Sequence, residues 1–86
     1  MTPIKETITR ILEEKLALKK SEITDEARFY DDLGVDSLDY LETIVEVEKT
    51  FNINIPDDDY ERLRTVASLV DYVTKKVSRR RVPQMA

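Results

Sequence analysis

An all-α fold is what this sequence predicts: a small bundle of three longer helices plus one short helix, with a long loop between the first two. Apolar residues recur at helical spacing in three separate stretches. The helix formers Glu, Lys, Leu and Arg are abundant. One glycine and three prolines in 86 residues are too few for a turn-rich β fold.

Ile4, Ile8, Ile11, Leu12 and Leu16 repeat at i, i+4, i+7, i+8 and i+12, which predicts an amphipathic helix from Pro3 to Leu18. Thr2 is its cap, and Pro3 suits the first helical position. From Lys19 to Asp36 the period fails, leaving a loop long enough to suggest function. Ile23, Phe29, Tyr30, Leu33 and Val35 are expected to pin it to the core, with a helical turn starting at Thr24. The second helix runs from Ser37 to Thr50. Its expected apolar side is Leu38, Leu41, Ile44, Val45 and Val47, with Phe51 at or just past the end. Asp39, Glu42, Glu46 and Lys49 form a solvent-facing stripe. "FNINIP" is an extended connector sending Ile53 and Ile55 to the core, and Pro56 starts a short helix, Asp57–Leu63. Its first turn holds three aspartates, where the helix dipole favours negative charge, and Tyr60 and Leu63 are its buried pair. Thr65 caps a last helix with Val66, Leu69, Val70, Val73 and Val77 on its apolar stripe. Residues 1–78 thus read as one domain, and 79–86 as a basic, flexible tail.

Composition excludes several functions. The chain has no cysteine and no histidine. Disulfides, Cys/His zinc sites and Ser-His-Asp or Cys-His catalysis by this chain alone are therefore ruled out. "MTPIKETITR" has no apolar signal core, and no apolar run approaches a membrane span of about 20 residues. "DDD" at 57–59 lacks the spacing and glycine of a calcium loop, so no metal site is expected. The net charge of −4 is segregated. Asp31 to Glu61 holds eleven acids against Lys49 alone, a net of −10, while the remainder carries +6. Such a middle segment attracts basic partners and repels nucleic acid. Arg79, Arg80 and Arg81 without interleaved aromatics make no nucleic-acid site.

"DDLGVDSLDYLE" sets Ser37 among five acids, just past the only glycine, Gly34. Serine is a preferred helix N-cap, and that alone accounts for a lone Ser before an apolar helix. If Asp36 is the cap instead, the Ser37 hydroxyl is left free and exposed at the helix start.

"LGVDSLD" with downstream "EKTFNINIPDDD" resembles the acyl carrier proteins, free-standing bacterial type. The resemblance runs from Ile4 to Val77 and includes helix order, the long first loop and the short third helix. It implies that Ser37 is the attachment point of 4′-phosphopantetheine, joined there by a phosphopantetheinyl transferase using Mg²⁺ and coenzyme A. The activating base then belongs to the transferase. Asp36 is implied in recognition by that enzyme, its alternative being a cap or a solvated acid. Asp39, Glu42 and Glu48 match positions that meet basic patches on partner enzymes, and Glu46 adds charge to the same helix. Tyr40, Leu41, Val45, Ile55, Leu63 and Val66 match a pocket that shelters acyl chains, although core packing accounts for them equally.

Two residues depart from the family pattern. Lys49 stands where an acid is common, and Tyr40 where a small residue such as threonine is common, which narrows or redirects the pocket. The expected function is a non-enzymatic carrier of acyl thioesters in fatty acid biosynthesis, cytoplasmic and monomeric. It would serve acyl-transferring and chain-extending enzymes. The alternatives are a carrier for polyketide, aryl or aminoacyl groups, and an unmodified helical interaction module.

Overall fold

The computed structural model describes residues 3–81; Thr2, the expected cap, and residues 82–86 lie outside them. Three α-helices, α1 (Pro3–Leu16), α2 (Ser37–Phe51) and α3 (Val66–Arg81), account for most of it. Short 3₁₀ helices span Lys20–Glu22 and Asp57–Arg62. No strand occurs among the described residues. α1 packs against both α2 and α3. Ile8, Ile11 and Leu12 of α1 meet Ile44 and Val47 of α2 and Val66, Leu69 and Val73 of α3 in one buried cluster.

Each helix stops for a local reason. α1 ends two residues earlier than the spacing predicts, because Ala17 takes a left-handed backbone, φ 54°, that a helix cannot continue. α2 ends at Asn52, also left-handed, whose N–H donates to the Glu48 carbonyl. Asparagine tolerates that conformation better than most residues. α3 begins with a reciprocal cap. The Ser68 N–H donates to Thr65 Oγ1 at 3.1 Å, and the Thr65 N–H donates to Ser68 Oγ at 3.0 Å. α3 then carries residues 79–81, expected in the tail, in helical conformation.

The long loop is tied down by backbone bonds. The Ala27 N–H donates to Thr24 O at 3.1 Å, closing the expected turn. Phe29 donates to Arg64 O, and Val66 and Ala67 donate to Ala27 O and Asp25 O. These bonds include an isolated antiparallel bridge between Arg28 and Thr65. Ile23, Phe29 and Val35 are buried as expected and Leu33 partly so, but Tyr30 stays 50% exposed.

The largest departure is the rotation of α2. Leu38, Leu41 and Val45, expected in the core, are 65%, 44% and 45% exposed. Tyr40 and Thr43 are buried instead, at 5% and 1%, beside Ile44 and Val47. Burial of these two is tolerated because both hydroxyls are satisfied. Tyr40 Oη donates to Leu63 O at 2.9 Å, and Thr43 Oγ1 donates to Asp39 O at 2.9 Å.

Candidate functional site

Gly34, φ 66°, turns the chain between the tethered loop and α2, in a left-handed conformation that glycine adopts without strain. Val35 then locks its N–H onto Phe29 O at 2.9 Å. The next two residues stand at the start of α2. Asp36 is the N-cap, and its carboxylate accepts from the Asp39 N–H at 2.9 Å. Ser37 is therefore not needed as a cap. Its side chain is exposed, and its hydroxyl has no hydrogen-bond partner among the described residues.

Ser37 and Leu41 form one side of a cavity of about 540 Å³. Tyr30, Tyr40, Tyr60 and Leu63 also line it, together with the charged Arg28, Asp31, Glu61 and Arg64. Tyr40 is central. Its ring lies 5.5 Å from Phe29 and 6.1 Å from Tyr60, both edge-on, and 5.6 Å from Tyr30, tilted. Burial, reinforced by the neighbouring Tyr30 and Tyr60 phenols, pushes the Tyr40 phenol well above its ordinary value. At the rim, Arg28 donates from Nε and Nη2 to both oxygens of Asp32, at 3.0 and 3.3 Å. That hydrogen bonding holds the Asp32 carboxyl below the usual carboxylate range.

Of the six residues expected to line an acyl pocket, Tyr40, Leu41 and Leu63 meet at this cavity. Ile55 and Val66 are buried in the common core, and Val45 faces outward beside Leu41 on a shallow depression reaching Lys15 and Lys49. The four acids expected to meet partners also divide. Asp39 and Glu42 are exposed and form no ion pair among the described residues. Glu46 lies 3.8 Å from Lys15. Glu48 serves the fold, because its carboxylate accepts from the Ile55 N–H at 2.7 Å and ties the connector to α2. Sequence spacing did not show the exposed apolar ridge Leu38–Leu41–Val45, at i, i+3 and i+7 beside the acids. The same spacing also describes a core face.

No helix among the described residues is long and apolar enough to cross a membrane. Comparison with known proteins agrees with the geometry. Residues 6–73 match the family model described as a phosphopantetheine attachment site. An acyl carrier protein of Chlorobium phaeobacteroides is 45% identical over 73 residues, covering 85% of this chain and 94% of the relative. One from Amoebophilus asiaticus is 42% identical over 78 residues, covering 91% and 98%. The solution structure of an Anaplasma phagocytophilum chain assigned as an acyl carrier protein superposes with a TM-score of 0.80, at 27% identity, over 86% of this chain and 88% of the other. The chain belongs to the acyl carrier protein family, non-enzymatic carriers whose cofactor is 4′-phosphopantetheine.

Proposed function

We propose that Ser37 carries the 4′-phosphopantetheine arm and that the protein delivers acyl groups held on it as thioesters to a succession of enzymes. The observation that carries this reading is the division of labour at the start of α2. Asp36 does the capping, so the Ser37 hydroxyl is free and accessible to a transferase. The residues fit the group. The first-turn amides of a helix have no intrahelical partner and favour an anion, such as the phosphodiester, at that end. Asp31, Asp36 and Asp39 oppose it, which suits an arm directed into solvent. When bound, the arm supplies a terminal thiol, so a cysteine-free chain acquires thioester chemistry. Tethering also replaces free diffusion by a high effective concentration.

The partner surface is the outward face of α2. Leu38, Leu41 and Val45 offer apolar contact, and Asp39, Glu42 and Glu46 offer charge to basic patches. Acids of this kind set association rate and salt dependence more than final affinity. That suits a cytoplasmic monomer that leaves each enzyme after one step. The phosphopantetheinyl transferase would be its first partner, with Asp36 beside the serine it modifies, and acyl-transferring and chain-extending enzymes would follow.

The first reading of the pathway is fatty acid biosynthesis. A specialised pathway handling compact acyl groups is the second, and the burial of Tyr40 beneath the cavity next to Ser37 favours it. Intact mass after incubation with coenzyme A, Mg²⁺ and a broad-specificity transferase tests the attachment. A gain of one phosphopantetheine on the wild type, and none on Ser37→Ala, is expected. No gain on folded, unmodified wild type would leave an unmodified interaction module.

A further inference from the structure

We infer that the tyrosine-lined cavity beside Ser37 is a docking site for a compact, planar acyl group, an aryl thioester rather than a long alkyl chain. Tyr40 sets its depth. The inference rests on the reading of Ser37 as the attachment point and deepens it.

Three features of the cavity lead there. First, Tyr40 closes its base. The Tyr40 ring packs edge-on against the buried Phe29, and its hydroxyl donates to Leu63 O at 2.9 Å, with Tyr60 O at 3.4 Å. A chain pushing deeper must displace a ring in van der Waals contact and break a buried hydrogen bond, leaving the Leu63 carbonyl unpartnered. Second, the walls are aromatic. Tyr30 and Tyr60 flank Tyr40 with centroids at 5.6 and 6.1 Å, and Tyr30 is half exposed, so its surface is available to a further ring. Rings attract at such separations in tilted and edge-on arrangements, beyond the gain from burying area alone. Third, the size is that of a small-molecule site. About 540 Å³ lies within the usual range of ligand pockets and has room for an aryl group with the nearby end of its tether, while the choice of aryl over alkyl rests on Tyr40 and the aromatic walls. Charge does not select the cargo, since two arginines, Arg28 and Arg64, and two acids, Asp31 and Glu61, line the cavity together. Ser37 itself lines the cavity, so the cargo folds back along its own tether.

The test loads the full chain from benzoyl-coenzyme A or decanoyl-coenzyme A with a broad-specificity transferase, confirms loading by intact mass, and follows the tyrosine ring signals by NMR. The benzoyl form should shift Tyr30, Tyr40 and Tyr60 relative to the unacylated arm-bearing protein, and the decanoyl form should leave Tyr40 in place. Tyr30→Ala, at an exposed position, should lower the docked benzoyl population about fivefold, within the range an aromatic pair supplies. A benzoyl form that moves none of the three rings overturns the proposal, as does a decanoyl chain that moves Tyr40 as far as benzoyl does. Failure to load at all is visible in the mass and counts against Ser37, not against the cavity. In that case free S-benzoyl-pantetheine at millimolar concentration is added to the same protein. Movement of the three rings supports the cavity, and its absence overturns it.

Discussion

Asp36 and Ser37 are adjacent and differ in what they do for the fold. Asp36 accepts a backbone N–H of the first turn, so Asp36→Ala should cost about 1 kcal/mol, seen as a lower denaturation midpoint. Ser37→Ala removes an exposed hydroxyl with no hydrogen-bond partner among the described residues and should change stability by less than about 0.5 kcal/mol while abolishing loading. The reverse ranking would mean that Ser37 caps α2. Tyr40 makes a second prediction at this scale, in alkali. Burial raises its phenol above the unfolded value of about 10. The protonated form is thus favoured by folding. This contribution is complete below pH of about 10 and is lost as pH rises above it, since the unfolded chain ionises first. Melting temperature should fall over that range, and more steeply for wild type than for Tyr40→Phe. Equal slopes would place the ionisation elsewhere.

At the scale of the element, α2 has two faces with separate roles. Its inward face holds Tyr40, Thr43, Ile44 and Val47, and Ile44→Ala should cost roughly 2–5 kcal/mol through lost burial and the cavity left behind. Its outward ridge should behave oppositely. Leu41→Ala should leave the melting curve within about 0.5 kcal/mol of wild type and slow transfer to partners. Glu48 separates from the other acids in the same assay. Its carboxylate holds the Ile55 N–H, so Glu48→Ala should cost about 1–3 kcal/mol. Glu42→Lys should instead lower the association rate with a basic partner and flatten its salt dependence, at little cost in stability. Stopped-flow association at two salt concentrations, beside chemical denaturation, separates the two acids.

For the whole molecule, charge segregation is the governing feature. Eleven acids against one lysine between Asp31 and Glu61 repel one another in the folded state. Among the described residues few of them are offset by ion pairs: Arg28 engages Asp31 and Asp32, and Lys15 engages Glu46. Raising ionic strength or adding millimolar Mg²⁺ should therefore raise the melting temperature. A flat response would contradict clustering of these charges on the folded surface. On the proposed function, the same field should speed association with a basic partner at low salt.

Helical spacing by itself determined the three helices and their order, since each must bury a stripe with a 3.6-residue period. The run around Gly34 and Ser37 pointed to Ser37 as the proposed attachment serine through a family resemblance. Local residues also marked helix starts, as at Thr65, although the early stop of α1 at Ala17 carried no signal because alanine favours helix. The rotation of α2 was decided by tertiary structure. Leu38, Leu41 and Val45 satisfy helical spacing as well as Tyr40, Thr43, Ile44 and Val47 do, and hydrophobicity alone favours the wrong set. What selects the second set lies far along the chain: the Leu63 carbonyl that takes the Tyr40 hydroxyl, and Phe29, against which its ring packs. Whether the residue after Leu38 and Asp39 turns in or out depends on those contacts, and a one-dimensional pattern does not contain them.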